Sequence, residues 1–207
     1  MSTIFQAIPG KSYIPTYREI MSLAIKNMSD YLSHIGSHKV FDIRVVLECI
    51  KTNEIIEVDP DDKMLTNKEF RAIFYIQDMP GGIDCYYYQY CPIDKAGWED
   101  ELRNNPNSRK YKSIIRESIK IGHHWHFRRS AGQPAPVVLL YGMLAASLAS
   151  LTDGIVHSDD GAWDYSMMPA STDEFLSFFL KPEHISGSRD KDYFQGIIDN
   201  LKNMGES

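Results

Sequence analysis

The run His123-His124-Trp125-His126 holds the residue types best suited to chemistry in this sequence. On an extended strand side chains alternate, so His124 and His126 share a face while His123 points the other way. Two imidazoles at i and i+2 can chelate a transition metal if carboxylates such as Asp159 or Asp160 approach. No HExxH motif, second His pair or Cys ligand accompanies them, and a strand of mixed burial beside a basic patch is the plainer reading. A second cluster gathers Asp153, His157, Asp159, Asp160 and Asp164. Asp159-Asp160-Gly161 lacks the EF-hand spacing, and nothing fixes a substrate opposite it. These residues read as solvated turn positions or as an acidic contact surface. Nucleophile elbows, catalytic Cys signatures and the glycine-rich phosphate loops GxGxxG and GxxxxGK[ST] do not occur. The expectation is therefore a binding protein with no catalytic residue, no metal and no cofactor.

Charge is unevenly distributed. The net charge is −6, yet Arg109 to Arg129 holds seven Lys or Arg and one acid, Glu117. Ser130 to Leu180 holds six Asp or Glu and no Lys or Arg. The basic stretch, with Tyr111, Trp125 and Phe127 interleaved, has the ingredients of a nucleic-acid surface. The acidic total and the lack of an RRM, KH or helix-turn-helix signature weigh against it. Pairing of this stretch with the acidic C-terminal half is the more economical expectation, and nucleic acid is not the expected partner.

These side chains need a scaffold, and the 207 residues suffice for one domain with its own core. It divides into an N-terminal helix (1–36), a sheet-rich part (40–129) and a mainly helical part (134–207). Apolar residues at helical spacing mark a first helix over 15–35 that Gly36 ends. Strands are expected at 40–50, 54–58, 70–76, 83–91 and 123–129, with a short one at 155–157. Alternation puts Tyr86, Tyr88 and Tyr90 on one face of their strand, as core or as contact surface. Two helical pieces, 98–102 and 111–119, flank the turn Asn104-Asn105-Pro106-Asn107-Ser108. Val137–Leu151 is about 22 Å long as a helix, too short to span a bilayer, and reads as a buried core helix. Gly142, Ala145, Ala146 and Ala149 keep it slim enough to lie against a sheet. Helices at 172–180 and 193–201 follow. Consecutive strands with short turns predict an α+β fold, an antiparallel sheet of about five strands with helices mainly on one face. Cys49, Cys85 and Cys91 form no disulfide framework and are expected as reduced, buried thiols. The start of the chain carries no secretory signal, which with the short apolar helix predicts a cytoplasmic protein without membrane contact.

The segment from Leu151 to Tyr165, with "LTDG" leading into an acidic-aromatic turn, is followed by Thr172 and a short helix bearing "EFL". In this C-terminal third the chain resembles immunity proteins that accompany bacterial polymorphic toxins and secreted effectors. That resemblance implies a non-catalytic protein that binds a cognate toxin and covers its active site or substrate path. A negative surface would speed encounter with a cleft built for phosphates, and Tyr and Trp would supply anchors. Asp159, Asp160, Trp163, Asp164 and Tyr165 are then the expected contact residues, with Arg128 and Arg129 as the alternative surface for an acidic toxin. A His/Asp metal-dependent enzyme and a nucleic-acid binder using 109–129 remain the competing classes.

Overall fold

The fold was analysed in a computed structural model that describes residues 2–158, 167–184 and 188–204. The first strand, β1 (Ser2–Ile8), precedes helix α1 (Tyr17–His34), whose start follows from local chemistry. Thr16 caps it: its hydroxyl accepts from the Glu19 amide at 3.2 Å, and Glu19 returns a bond to the Thr16 N–H at 2.7 Å. This reciprocal box satisfies two amides that the first turn leaves without helical partners. Four strands follow, β2 (Ile43–Cys49), β3 (Ile55–Glu57), β4 (Phe70–Ile76) and β5 (Ile83–Gln89). Then come α2 (Pro92–Asn104), α3 (Pro106–Lys110), α4 (Lys112–Ile121) and β6 (His123–Ser130). Helix α5 (Ala135–Leu151), strands β7 (Ile155–His157) and β8 (Ala170–Ser171), helix α6 (Thr172–Phe178), a 3-10 turn (Pro182–His184) and helix α7 (Ser188–Asn203) complete the described elements. Among the described residues no helix is long and apolar enough to cross a membrane.

The chain is α+β with an antiparallel sheet, but that sheet has eight strands rather than about five, in the order β3-β2-β4-β5-β6-β1-β7-β8. The difference lies mainly in β1 and β8. Strand β1 runs between β6 and β7, antiparallel to both. Its seven residues, STIFQAI, have no hairpin partner nearby in sequence, and partners more than a hundred residues away decide its conformation. Strand β8 has two residues held by β7, too few for any periodicity.

One face of the sheet, here the inner face, carries Phe5, Ala7, Val45, Phe74, Cys85, Trp125 and Phe127 into the main core. Helix α5 lies there and is buried from Ala135 to Ala149 on all sides, as expected for a helix without a polar face. Helices α1 and α6 pack against it, with Phe194 and Ile197 of α7 in the same core. Gly142 makes room for the ring of Phe179, on which a Cβ there would fall, so its small size serves the contact with the end of α6 rather than the sheet. The opposite, outer face holds a smaller core in which Ile8 and Ile155 meet Trp98, Leu102, Tyr111 and Ile115 of the α2–α4 region. Helices therefore cover both faces unequally. The cysteines are free; Cys85 is buried, Cys49 half-buried and Cys91 exposed.

Candidate functional site

Antiparallel register lines up outer-face residues across the sheet. Glu48 of β2 stands opposite Ile55 of β3 and Arg71 of β4. Tyr86 of β5 faces His126 of β6, and Gln6 of β1 faces His126 on one side and His157 of β7 on the other. Arg71 joins the two groups, donating to Tyr86 Oη and to Asp84 Oδ2, each at 3.1 Å. A polar and aromatic row, Glu48 to His157, thus crosses six strands drawn from distant parts of the sequence.

The row has two ends of different character. Toward β2, Arg71 is 2.6 Å from Glu48 and 3.1 Å from Asp84, with all three side chains at most a quarter exposed. Burial pushes the Asp84 carboxyl up; the nearby Arg71 and Arg128 charges oppose the shift without cancelling it. Arg128 lies 3.8 Å from the same carboxylate. Tyr86 and Tyr88 stack with centroids 5.9 Å apart, and Tyr88 is 43% exposed. The tyrosine face of β5 is thus outer surface. Tyr87, on the other face, packs edge-on against Trp125 at 5.7 Å.

Toward β7 the row sinks beneath α2 into a cavity of about 350 Å³. Gln6, Tyr90, Asp94, Trp98, Glu101 and the three imidazoles of His124, His126 and His157 line it, with Ile93 and Gly97 on the helix. His124 and His126 share a face and approach to 2.8 Å between Nε2 atoms. His123 turns to the opposite face, against Trp125 and Tyr87. Tyr90 stacks on His124 at 4.4 Å while its hydroxyl lies 3.0 Å from Ser118 Oγ. Trp98 lies 4.9 Å from the His157 ring. Glu101 accepts from Asn105 Nδ2 and Ser108 Oγ, both at 2.8 Å, and sits 3.9 Å from His157 Nε2. Asn105 also donates to the carbonyl of Met168, tying the α2–α3 junction to the segment before β8. Asp94 accepts the Cys91 amide at 2.7 Å at the start of α2. Desolvation works to raise the Asp94 carboxyl, but hydrogen bonds from the Cys91 amide and thiol hold it below the usual range. Burial, with the neighbouring His126, drives the His124 imidazole down to about 3 against the opposing pull of Asp94.

The structure brings together residues that the sequence presents apart. His157, grouped with the aspartates by proximity in the chain, belongs spatially with His124 and His126. Asp159, Asp160, Trp163, Asp164 and Tyr165 lie outside the described residues. Arg128 and Arg129 do not share a surface: Arg128 belongs to the outer row, while Arg129 is 6% exposed and sits over the rings of Tyr141 and Tyr193. The basic stretch is divided among α3, α4 and β6. Lys110 pairs with Glu174 of the acidic half, Lys120 with Glu117 on its own helix, and Arg109 donates to the Leu102 and Arg103 carbonyls. Among the described residues no group of three or more His, Cys, Asp or Glu is arranged to hold a metal ion. Gln6, Asp94, Trp98 and Glu101 carried no motif; for Gln6 the only signal was the parity of β1 and β7, legible once their pairing is known, and Asp94, Trp98 and Glu101 are brought in by α2.

No protein-family model matches the chain, and no curated protein or solved structure is significantly similar to it.

Proposed function

We propose that this protein is a non-catalytic, immunity-type inhibitor that binds a cognate protein toxin and covers its active site or substrate path. The observation that carries this reading is the outer face of the sheet at β4, β5 and β6. There Tyr86, Tyr88, Arg71 and Arg128 stand on rigid strands with Tyr88 substantially exposed. Aromatic rings and arginine are the side chains that most often anchor protein interfaces, because each buries much surface at little entropic cost. Pre-paired charges fix their geometry before contact, which lowers the ordering cost of association. Asp159, Asp160, Trp163, Asp164 and Tyr165 remain the contact residues that the resemblance implies, by their acidic and aromatic character.

Co-expression with the product of the adjacent gene, scored for growth and for co-purification, tests the reading. The neighbour alone should arrest growth, and this protein should restore it as a stable complex weakened by Tyr88→Ala and by Arg128→Glu. A harmless neighbour with no complex formed would remove the inhibitor reading. The approach of His124 to His126 favours one competing reading, a metal-dependent enzyme. It requires purified protein to carry stoichiometric zinc, manganese or iron.

A further inference from the structure

The pairing of β4 with β5 stops short. Its register ends at Ala72↔Cys85, although β4 begins at Phe70 and β5 runs on to Gln89 against β6. Asn67 turns the chain just ahead of β4: its carbonyl accepts the Phe70 N–H at 3.2 Å and its Oδ1 the Glu69 N–H at 2.8 Å. Where the two strands part there is a cavity of about 590 Å³. Tyr86, Tyr87, Tyr88 and Gln89 form one wall, and residues 66–68 with Phe70 the other. Tyr86 and Tyr88 point outward and Tyr87 inward, so a cavity touching all three runs along the edge of β5 rather than over either face.

The ladder decides which atoms that edge presents. Facing residues of antiparallel strands alternate between exchanging hydrogen bonds and not. The Tyr90 N–H donates to the Gly122 carbonyl at 3.0 Å, in register with Tyr88↔His124 and Tyr86↔His126, so these are the bonded pairs. The N–H and C=O groups of Tyr87 and Gln89 therefore point away from β6, into the gap. On the facing strand the Ile50 N–H donates to the Glu69 carbonyl on the β2 side, which aims the Phe70 carbonyl at the same gap. Among the described residues neither Tyr87 nor Gln89 has a backbone partner on this side.

Two donors and two acceptors thus repeat at roughly 7 Å, the spacing of alternate strand residues. An extended polypeptide is the ligand whose own groups match that repeat. Lys68 and Asp94 are the charges among the described lining residues, one of each sign, so the gap selects for neither. The rings of Tyr86, Tyr87, Tyr88 and Phe70 suit uncharged, β-branched side chains. We propose that this gap receives an extended, uncharged segment of the protein partner, which adds a strand to the open edge of β5. The proposal rests on the partner-binding reading and specifies how that partner is held. Tyr86 and Tyr88 belong both to this wall and to the outer surface assigned to the partner, so one partner covers the two together.

The test uses the full chain and reads amide hydrogen exchange and amide resonances. In the protein alone Tyr86 and Tyr88 should be protected while Tyr87 and Gln89 exchange freely. Acetyl-Val-Thr-Val-Thr-Val-amide should give saturable shifts at Tyr87 and Gln89 at roughly millimolar concentration, the scale of a short flexible ligand, and should slow their exchange. The same peptide methylated on every backbone nitrogen keeps the side chains, lacks the donors and should give no such shifts. Gln89→Pro takes the Gln89 N–H out of the gap without removing a bond to β6, since Gln89↔His123 is a non-bonded pair. It should weaken peptide binding about tenfold, the scale of one backbone hydrogen bond, with Tm little changed. The comparison of the two peptides needs no variant and decides the matter if Gln89→Pro does not fold. Protection of Tyr87 and Gln89 in the monomer alone would overturn the proposal, because the chain then closes its own edge. Protection that grows with protein concentration would overturn it in favour of a second copy. Equal shifts from both peptides, or none from either, would overturn it as well and leave the inhibitor reading to co-expression and its Tyr88→Ala test. Selective peptide binding by a protein whose neighbour proves harmless would keep the strand site and remove only the inhibitor reading.

Discussion

The two faces of strand β6 divide the molecule into regions under different physical rules. Inward, Trp125 and Phe127 sit in a core of Phe74, Tyr87 and Met64, with the indole N–H donating to the Met64 carbonyl at 3.0 Å. Outward, His124, His126 and Arg128 alternate with them and face Tyr88, Tyr86 and Asp84 on the neighbouring strand. Inner positions are judged by shape, because a missing atom leaves a void that close packing cannot refill. Outer positions are judged by whether every charge and polar atom has a partner, because the face is only half removed from water. The first face makes the sheet; the second makes it specific.

Phe127→Ala should be the most damaging change and sets the scale for the inner face. The side chain is fully buried, and its loss is expected to cost about 3–5 kcal/mol in denaturant unfolding. On the outer face Arg71→Met should come next, at about 2–4 kcal/mol, because Glu48 and Asp84 are left without their shared cation. Acidification should restore part of that loss as the carboxylates take up protons, whereas Phe127→Ala should show no such recovery; parallel pH dependence in the two variants would erase the distinction between the faces.

His124 sharpens the comparison through pH. Its imidazole has an ordinary value of 6.5 and is driven down to about 3 in the fold. Between those values the unfolded chain carries a proton that the folded chain lacks, so stability falls as pH drops, by about 1.4 kcal/mol per unit. His124→Leu should flatten the stability profile between about pH 7 and pH 5. The remainder should come from groups such as His123, whose burial lowers its imidazole in the same direction. A profile unchanged by the substitution would mean that His124 is already protonated in the folded protein. Tyr88→Ala should be the mildest for folding, at about 1 kcal/mol or less, since the residue is 43% exposed at the surface. Its effect should be read instead in the strength of the partner complex.

Much of the scaffold was legible in order along the chain. Strand 70–76 and strand 155–157 have the bounds that their composition predicts, and the buried helix begins two residues before its predicted start. The capping box at Thr16 and the left-handed Gly36 and Gly122 delimit their helices through contacts within a few residues. The run Pro92–Asn104 was harder: its buried residues are Trp98 and Leu102, too few to mark the first two turns, so only 98–102 in its C-terminal half was predicted. The facing of His124 with His126 and of His123 away from them followed from period-two alternation alone.

Apart from β1 and β8, local sequence thus determined the element types and which side chains share a face, because hydrogen-bond caps and alternation act over a few residues. Only the tertiary structure decided which strands are neighbours, and with them the row from Glu48 to His157 and the cavity under α2. Lateral pairing in a sheet is a contest among distant segments, settled by which register buries the most apolar surface. For β1 the winning partners, β6 and β7, lie more than a hundred residues along the chain.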